Sequence, residues 1–527
     1  MMRARAGSLG LLLALAVVAG AGCPGSEHPD AGGAVASGSA APAGEPRRGG
    51  ELVVAVQADA LGLDPHVAND AIGQRMIENV YATLLRYGDY NQLLPDLAER
   101  WEVSDDGLRV TLHLRSGARF HTSGREVLAQ DVKYSLERIV EQKVRAAQLE
   151  AVERIETPDE RTVVLHLARP FAPLLTYLAH PMNAIVDREV VEAHDGALDR
   201  EDAGCGPFRI REWKKDRHLT LERDPRYFVQ GLPRLDRVVF RPIADETART
   251  TALRTGEVDV VLQVPAPDVA VLEAADGVVV RSVPGTFWEY VGLNVRRPPF
   301  DDARVRQAVA WAIDRGALAE VVKLGGATPL PGGHIPQNHW AHAGGLSVYP
   351  ARDLQKARAL LAEAGHEDGL DVTLKVGSSF AYQVAAAQVV KQQLREAGIR
   401  VELEALESAV FFDSLGKGDF DMTLVGWVGF VDPDEWTYEL FHSGGRWNQQ
   451  GFASPEVDAL LERGRRERGR EARAATYAEV QRAVTEAAPM VFLYVNDRVA
   501  AWRDRVRGFE AHPTTTTLSL RECWVAR

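Results

Sequence analysis

Two apolar strands flank a single amphipathic helix between residues 372 and 403. The strands occupy residues 372–376 and 401–403, and the helix spans residues 382–397. Gly398 follows the helix directly, and glycine adopts the left-handed conformation that often ends a helix without steric cost. A strand, a helix and a second strand in direct succession are typical of α/β proteins.

The rest of the chain continues this alternation. Apolar segments with strand character occur at residues 52–56, 162–167, 258–262, 290–294 and 420–425. Apolar residues recur at helical spacing in residues 70–85, 129–140, 301–322 and 354–364. The whole pattern predicts an α/β fold.

The composition supports a globular body and excludes some functions. Of the 527 residues, 46% are hydrophobic and 26% are charged, which leaves ample material for a core. The net charge of -13 disfavours nonspecific nucleic-acid binding, because such binding depends on neutralising phosphates. Three cysteines are too few for a disulfide scaffold.

The N-terminus has the features of an export signal. Arg3 and Arg5 precede an apolar run at residues 9–21, which is too short to cross a bilayer comfortably. Small residues then lead to Cys23, as in the lipobox of bacterial lipoproteins, although Gly20 replaces the usual leucine. We predict a signal peptide at residues 1–22 and lipidation of Cys23. The alternative is an ordinary secretory signal with an incidental cysteine.

Residues 23–50 are expected to form the lipidated cysteine and a flexible tether. The segment is rich in Ala, Gly, Ser and Pro and almost lacks large apolar residues. Such a segment cannot bury enough surface to offset the entropy lost on ordering. The signal, the cysteine and the tether together place the globular body outside a membrane, on its periplasmic or cell-surface face.

Several blocks of sequence carry a resemblance to a known family. They include GGELVVAVQADALGLDPH, LLPDLAERWEVSDDGLRVTLHLRSGARFHTSG, DVKYSLERI, GCGPFRI, PFDDARVRQAVAWAIDR, GWVGFVDPDEW and GFASPEVDALLE, in this order along the chain. In these blocks the chain resembles the solute-binding proteins of peptide-type ABC importers, the dipeptide- and oligopeptide-binding family (family 5 extracellular solute-binding proteins). The resemblance extends from about residue 48 to the C-terminus.

This resemblance implies a two-lobed periplasmic binding protein clamp, of class II and the large cluster C type, with two crossover strands. The larger lobe is expected to comprise residues 51–285 and 495–527, and the smaller lobe residues 286–494. The crossings are expected near residues 281–289 and 494–498. The lobes of such a clamp close around a ligand by hinge bending.

The resemblance also implies a function and a set of partners. We expect a lipoprotein that captures a peptide or peptide-like small solute and delivers it to the permease subunits of an ABC transporter. It needs no cofactor, binds no nucleic acid, acts as a monomer and meets the membrane through its lipid anchor. A sugar-like solute, an opine-like solute or a metal chelate remains an alternative cargo in the same import role.

Other function classes are less favoured by the sequence. A hydrolase, a zinc protease or a nucleotide enzyme would carry G-x-S-x-G, H-E-x-x-H or G-x-x-x-x-G-K, and none of these motifs is present. A hydrolytic enzyme therefore remains only a minor alternative. A binding protein that signals or acts as a chaperone, without feeding a transporter, is a second one.

The family resemblance points to the loop after the strand at residues 420–425 as a binding element. Trp427 is expected to form a wall of the cleft, and Gly429 to let backbone approach the solute. Phe430 stands where dipeptide-binding relatives carry an aspartate that pairs with the ligand's ammonium group. Asp432 is the nearest acid that could compensate, although its position favours a role in a turn or a cap over contact with the ligand.

The stretch that holds the ligand's carboxylate in dipeptide binders contains no cation here. It includes Ser378, Phe380 and Tyr382. Both charged contacts to a zwitterionic dipeptide are thus expected to be absent, which favours a more apolar or sugar-compatible surface. The full set of predicted ligand-binding residues is Asp59, Ala60, Trp288, Ser378, Phe380, Tyr382, Trp427, Gly429, Phe430, Asp432, Trp447 and Asn448.

Two further groups of residues have open interpretations. His334, His339 and His342 lie in a Gly- and Pro-rich segment typical of a surface loop, and no cysteine or carboxylate within it completes a metal site. No metal is therefore predicted. Cys205 and Cys523 form either a disulfide or two buried thiols, because an oxidising compartment favours pairing but their geometry is not set by the sequence.

Overall fold

The computed structural model describes residues 45–68, 70–88, 92–198, 200–429 and 431–526. The predicted signal peptide, Cys23 and most of the tether lie outside these residues, as does Phe430. Among the helices of the described residues, none is long and apolar enough to span a membrane.

The strands are short except for two. They are β1 (Glu51–Val56), β2 (Leu85–Tyr87), β3 (Leu93–Pro95), β4 (Ala98–Val103), β5 (Arg109–Leu114), β6 (Val152–Asp159), β7 (Thr162–Leu167), β8 (Phe208–Lys214), β9 (His218–Arg223), β10 (Arg237–Pro242), β11 (Val260–Val261), β12 (Val278–Leu293), β13 (Ala327–Pro329), β14 (Leu370–Gly377), β15 (Ile399–Leu406), β16 (Met422–Val428), β17 (Met490–Arg503), β18 (Val506–Arg507) and β19 (Trp524–Val525).

The α-helices lie between the strands in the chain. They are α1 (Ala71–Val80), α2 (Ala129–Gln142), α3 (Leu174–Tyr177), α4 (Arg188–Ala193), α5 (Glu246–Thr255), α6 (Ala266–Glu273), α7 (Ala303–Ala312), α8 (Arg315–Lys323), α9 (Leu354–Glu363), α10 (Ala381–Glu396), α11 (Ser408–Lys417), α12 (Asp434–Phe441), α13 (Pro455–Arg466) and α14 (Arg470–Ala487). Short 3₁₀ helices occupy Ala146–Leu149, Pro181–Asn183 and Leu518–Arg521.

Within the described residues, eleven strands form one mixed sheet. Its order is β15-β14-β16-β12-β17-β11-β1-β10-β9-β8, and β13 pairs with β17 off this path. Strands β14, β15 and β16 pair in parallel, as the strand–helix–strand pattern predicts. A separate sheet has the order β4-β5-β7-β6 and carries α2 on one face. The α/β prediction is confirmed.

The long strands β12 and β17 connect the two ends of the main sheet. They pair antiparallel along almost their whole length, from Val278 opposite Arg503 to Gly292 opposite Met490. The ladder has a register shift between Pro284 and Trp288. Both strands therefore change their backbone geometry at the middle of the sheet, where the sequence analysis expected the crossings.

Separate apolar cores lie on either side of these crossing strands. One packs β1, β8, β9 and β10 against α1 and the C-terminal residues, around side chains such as Phe208 and Phe240. A second packs β14, β15 and β16 against α7, α8, α9 and α10. Burial of such faces is the main favourable term in folding. Each end of the sheet thus has a core of its own, as a two-lobed protein requires.

Aspartate side chains fix the start of many helices. Asp70 accepts a hydrogen bond from the backbone N–H of Gly73 (2.6 Å), and Asp314 accepts one from that of Ala317 (2.9 Å). An N-cap of this kind satisfies a donor that has no partner within the helix. The cap at Asp314 corrects one prediction: the helix expected at residues 301–322 is two helices, α7 and α8, because Ile313 is extended.

The two cysteines of the folded body are buried free thiols. Cys205 packs in the core beneath the β4-β5-β7-β6 sheet, whereas Cys523 packs in the core around β1. The disulfide alternative is therefore not realised, because the two side chains belong to different cores. Burial raises the pKa of both thiols well above its ordinary value.

Candidate functional site

A cavity of about 520 Å³ lies beside the middle of β12 and β17. Its walls come from three places in the chain. They are Gln57, Glu246, Arg249, Gln263, Val264, Pro265, Ala266 and Val269 from the N-terminal part, Lys323, Leu324, Gly325, Gly326 and Tyr382 from the middle part, and Ser282, Phe287, Asn496, Asp497, Arg498 and Val499 from the crossing strands. The volume falls within the range of small-molecule binding sites.

Phe287 forms an aromatic wall of the cavity. Its ring lies on the backbone of Gly426, where a Cβ would come within 2.1 Å of the ring's Cζ atom. Glycine is therefore required at position 426 for this close approach. Gly426 begins the G-W-x-G segment, which the sequence predicts as a loop. The structure corrects this prediction, because residues 426–428 continue β16 and pair with β12 beside the cavity wall.

A buried ion pair supports one side of the cavity. The Lys323 ammonium lies 3.1 Å from Oε1 of Glu289, whose side chain is fully buried. The Tyr494 hydroxyl donates to Oε2 of Glu289 at 2.6 Å, and the Asn496 amide donates to Oε1 at 3.3 Å. Burial lowers the pKa of Lys323, and the charge of Glu289 opposes this change. The pair keeps Glu289 satisfied, as a buried carboxylate requires.

Tyr382 lies on the cavity wall and is held by Lys323. The Lys323 ammonium is 3.9 Å from the centroid of the Tyr382 ring, a cation–π contact. Burial raises the pKa of the Tyr382 hydroxyl to about 12, and the negative charge of Glu289 adds to this effect. Residues 377–382 contain no cation of their own, yet the fold brings one to them from the end of α8.

Arg498 is the cation on the cavity wall whose charge is not balanced. Its Nε atom is buried without a hydrogen-bond partner, and none of the carboxylates in the described residues forms a salt bridge with it. Burial lowers its pKa. Arg249, by contrast, donates to the carbonyl oxygens of Ile243 (2.7 Å) and Ala244 (2.9 Å).

Amide side chains supply most of the remaining polarity. The Gln57 side-chain amide donates a hydrogen bond to Oε1 of Gln263, and the Arg75 guanidinium donates to Oε1 of Gln57 at 3.5 Å. Primary amides offer both donors and acceptors. Together with Asn496, these side chains are suited to the amide groups of a bound solute.

Asp59 and Ala60 lie in the N-terminal part of the protein and do not line the cavity. The Asp59 carboxylate accepts hydrogen bonds from the indole N–H of Trp213 (3.0 Å) and the backbone N–H of Asp216 (2.7 Å). The Ala60 carbonyl accepts one from Lys215. The structure therefore uses both residues to hold the loop after β1 against the β8–β9 hairpin.

The predicted residues of the middle part are divided between the cavity and its surroundings. Tyr382 lines the cavity. The centroid of the Phe380 ring lies 6.4 Å from that of the Tyr382 ring. Ser378 is exposed at the end of β14. Trp288 is fully buried between Tyr290, at 5.1 Å, and Phe492, at 5.4 Å.

Two of the predicted ligand-binding residues, Trp427 in β16 and Trp447 in the loop after α12, contact each other. The ring centroids of Trp427 and Trp447 lie 6.1 Å apart, and Trp447 is 41% exposed. The Trp427 indole donates to the carbonyl of Glu435 at 3.1 Å. Asn448 uses its amide to bind the carbonyls of its own loop, at His442 and Phe452. Trp427 and Trp447 together form an aromatic surface outside the cavity lining.

Asp432 is buried in an ion pair. Its two oxygens accept hydrogen bonds from Arg473 at 2.6 and 2.8 Å, and Thr176 donates to it at 3.4 Å. Burial acts to raise the pKa of Asp432, but the Arg473 charge outweighs it and lowers the pKa below its ordinary value. Asp432 is thus already neutralised within the protein, so it has no charge left for a ligand's ammonium group.

The histidine segment is inside the protein, which corrects the expectation of a surface loop. His334 is fully buried between Phe441 and Phe492, and burial lowers its pKa to about 3. His339 binds the carbonyl of Val431 at 2.8 Å. Groups of side chains that could hold a metal ion are not found in the part of the chain that the structure describes.

Gly429, a predicted site residue, is tightly packed. A Cβ at this position would lie 2.1 Å from the Cδ2 atom of the fully buried Trp436. We therefore expect Gly429→Ala to lower the free energy of unfolding by about 1–3 kcal/mol in urea denaturation, because overpacking forces rings or backbone to move.

The matched control is Gly416→Ala in α11, where a Cβ meets open space. It is expected to raise stability by about 0.5–1 kcal/mol, since alanine is the better helix former. Equal effects of the two substitutions would contradict the packing described for Gly429.

Comparison with known proteins places this cavity in a functional context. Residues 92–449 match the profile of bacterial extracellular solute-binding proteins, family 5. The chain belongs to this family. As a family 5 protein it is a binding protein that delivers substrate to an ABC importer, not an enzyme, and it works in the periplasm or at the cell surface.

Relatives with known binding partners cover nearly the whole chain. The glutathione-binding protein GsiB of Escherichia coli O1:K1 is 29% identical over 478 residues, 88% of this chain and 93% of that protein. The periplasmic binding protein DppA of Helicobacter pylori, solved with the peptide STSA, is 27% identical, with a TM-score of 0.78, and covers 92% of this chain and 99% of its own.

A third relative binds a different kind of solute. The binding protein AgaA of A. tumefaciens R10, solved with agropinic acid, is 30% identical with a TM-score of 0.78, over 91% of this chain and 99% of its own. These structures confirm the predicted fold of a two-lobed clamp with two crossover strands. They also show that family 5 proteins carry more than one chemical class of cargo.

Several residues of the cavity have no signature in the sequence. Gln57, Gln263 and Lys323 give no local signal, because each belongs to an ordinary strand end or helix end. Arg498 gives one signal, since it lies at the end of the second expected crossing, and the structure places it on the cavity wall.

Proposed function

We propose that this protein holds a peptide or peptide-like solute in the cavity beside the crossing strands and releases it, unchanged, to an ABC permease. The observation that carries the proposal is the cavity itself, about 520 Å³ in volume and lined from both ends of the main sheet. A site built in this way changes when the two ends move relative to each other, so binding and closure are linked.

The lining favours a solute that contains amide groups. Gln57, Gln263 and Asn496 bring amide side chains to the lining, which are partly engaged with one another, with Arg75 and with Glu289, while Phe287 and Tyr382 offer apolar surface. The ligands named for two of the relatives, glutathione and the peptide STSA, are peptides in this sense. Agropinic acid in AgaA supports an opine-like solute as the second candidate.

The lobes in this proposal have the boundaries expected from the sequence. The larger lobe comprises residues 51–285 and 495–527, and the smaller lobe residues 286–494. The register shift between Pro284 and Trp288 supports a hinge there, because an irregular ladder bends more readily than a regular one. Lipidation of Cys23 and the monomeric state complete the proposal, and both rest on the sequence alone.

Native mass spectrometry of freshly purified, delipidated protein tests the function. We expect one small solute for each chain, with a mass that stays constant during prolonged incubation. Glutathione, STSA and agropinic acid are then tested separately by thermal denaturation. A raised Tm with at least one of them is expected, because a ligand that binds only the folded state stabilises it.

Two variants connect this binding with the cavity. Phe287→Ala and Tyr382→Ala are each expected to weaken binding of the active solute at least tenfold, since each removes aromatic contact area from the wall. Trp447→Ala, outside the lining, is the matched control. Turnover of the bound compound, or equal loss in the control, contradicts the proposal.

A further inference from the structure

Arg498 differs from the other cations at the cavity. Lys323 is paired with Glu289 at 3.1 Å, and Arg249 is bound to two backbone carbonyls. For Arg498, the described residues provide neither a carboxylate partner nor an acceptor for its buried Nε. An arginine placed on a cavity wall without its own counter-ion leaves a planar, charged donor group directed to whatever fills the cavity.

The groups around Arg498 do not cancel its charge. Arg75 lies close enough for the Arg498 charge to lower the pKa of Arg75, after the larger effect of burial. Asp497 is adjacent in β17, but it forms no salt bridge with Arg498, and one of its oxygens is buried without a hydrogen-bond partner. Burial raises the pKa of Asp497. An uncompensated, partly desolvated cation such as Arg498 costs free energy until an anion joins it.

We propose that Arg498 binds a carboxylate group of the transported solute, so that the cargo is a small carboxylate-bearing molecule and not a neutral sugar. This inference rests on the function proposed above. The guanidinium plane matches the two oxygens of a carboxylate and binds them in parallel. The ligands of the relatives, a peptide, glutathione and agropinic acid, are consistent with an acidic group on the solute.

The contact with Arg498 accounts only for the carboxylate end of the solute. The family's ammonium-binding aspartate is replaced by Phe430, and Asp432 is neutralised by Arg473. The G-W-x-G segment thus supplies no anion for an α-ammonium. An acidic side chain does line the cavity elsewhere: Glu246 is 68% exposed and lies 3.8 Å from Arg249.

The experiment compares free acids with blocked acids. The probes are STSA and its C-terminal amide, and glutathione and its diethyl ester, titrated calorimetrically into the unaltered protein. We expect each free acid to bind at least 30-fold more tightly than its blocked form, which corresponds to about 2 kcal/mol. This ratio needs no substitution, so it stands even where a variant folds poorly.

Variants then assign the effect to one side chain. Arg498→Met is expected to weaken binding of the free acid at least 30-fold and to bring the acid-to-blocked ratio close to one. Arg503→Met, in the same strand but away from the cavity, keeps the full ratio. A ratio that persists in Arg498→Met places the carboxylate elsewhere and overturns the inference.

The remaining outcomes separate this inference from the proposed function. Equal affinity for acid and blocked forms overturns the carboxylate contact and leaves solute binding intact. Binding of a neutral sugar, with no binding of either acid, also overturns the carboxylate contact while solute binding itself is retained. A protein that carries no solute after purification, and binds neither acid nor sugar, overturns the proposed function and the inference with it.

Discussion

Replacement of Arg473 by methionine is expected to lower the free energy of unfolding by about 3–5 kcal/mol. Arg473 and Asp432 are only 8% and 2% exposed, and their closest atoms are 2.6 Å apart. Removing the cation leaves a buried carboxylate without its partner, and the cost of such a charge exceeds the loss of the attraction itself. Urea denaturation at neutral pH measures the difference.

The ion pair between Arg473 and Asp432 also helps to hold two distant parts of the chain together. Asp432 follows β16 and also accepts a hydrogen bond from Thr176, which belongs to α3 in the N-terminal part of the chain. The neighbouring Asp434 pairs with Arg465 at 2.7 Å and accepts a hydrogen bond from Tyr177 at 3.2 Å. The two ion pairs thus fix the loop after the G-W-x-G segment against another part of the protein.

Arg463 provides the matched control for this prediction. It lies in the preceding helix, α13, and pairs with Glu479 at 2.6 Å, but it is 44% exposed. Arg463→Met is expected to change stability by less than about 1 kcal/mol, because solvent screens exposed pairs. The double variant Arg473→Met with Asp432→Leu should recover much of the lost stability, since no charge is then left buried. Similar losses in the two arginine variants would contradict the role given to burial.

Local patterns predicted the elements that depend on local physics. The strands predicted at residues 372–376 and 401–403 lie within β14 and β15, and the helix predicted at residues 382–397 agrees with α10 (Ala381–Glu396) to within one residue at each end. Alternation of apolar residues and a glycine stop are properties of neighbouring residues, so a sequence is enough to recognise them. Family resemblance supplied the two-lobed fold with two crossover strands, which periodicity alone does not contain.

The errors of the sequence analysis came from contacts between distant residues. The segment around His334 has the Gly- and Pro-rich composition of a surface loop, but aromatic rings from α12 and β17 enclose it. The expected helix at residues 301–322 is broken because Asp314 caps a second helix whose first residue, Arg315, binds the carbonyl of Phe492 at 2.7 Å. Composition and periodicity carry no information about such partners.

The candidate site was less predictable than the fold for the same reason. Lys323 reaches Tyr382 across more than fifty residues, and Arg498 reaches the cavity from the C-terminal part of the chain. The absence of a cation from residues 377–382 was correct as a statement about sequence. It did not describe the charge at that place in the folded protein, because the fold supplies cations from other segments.

Glu78 makes the stability of the protein depend on pH near neutrality. This side chain is in α1, is 3% exposed, and accepts hydrogen bonds from the hydroxyls of Thr516 (2.7 Å) and Thr517 (2.8 Å). Burial raises its pKa from 4.5 to about 7, against the opposing effects of these hydrogen bonds and of the Arg75 charge. The folded protein therefore holds a proton that the unfolded chain has already lost.

The sign of the effect follows from this difference. Because the pKa of the folded state is raised, the contribution of Glu78 is fully present below pH 4.5 and is lost as the pH rises through about 7. The interval corresponds to roughly 3 kcal/mol, at 1.36 kcal/mol for each pH unit. We expect Glu78→Gln to be more stable than the unaltered protein at pH 8, by roughly 2–3 kcal/mol, and equally stable near pH 4.5.

Urea denaturation at half-unit steps from pH 5 to pH 8 measures this dependence. The slope of the unfolding free energy against pH should be less negative for Glu78→Gln than for the unaltered protein between pH 5 and about pH 7. The two slopes should converge toward pH 8, where Glu78 is deprotonated in both the folded and the unfolded state. Glu320→Gln, an exposed substitution in α8, should keep the original slope. Parallel curves for Glu78→Gln and the unaltered protein would show that Glu78 is charged in the folded state across the range. Its contacts with Thr516 and Thr517 would then hold a carboxylate that is already compensated by Arg75, and not a buried neutral acid.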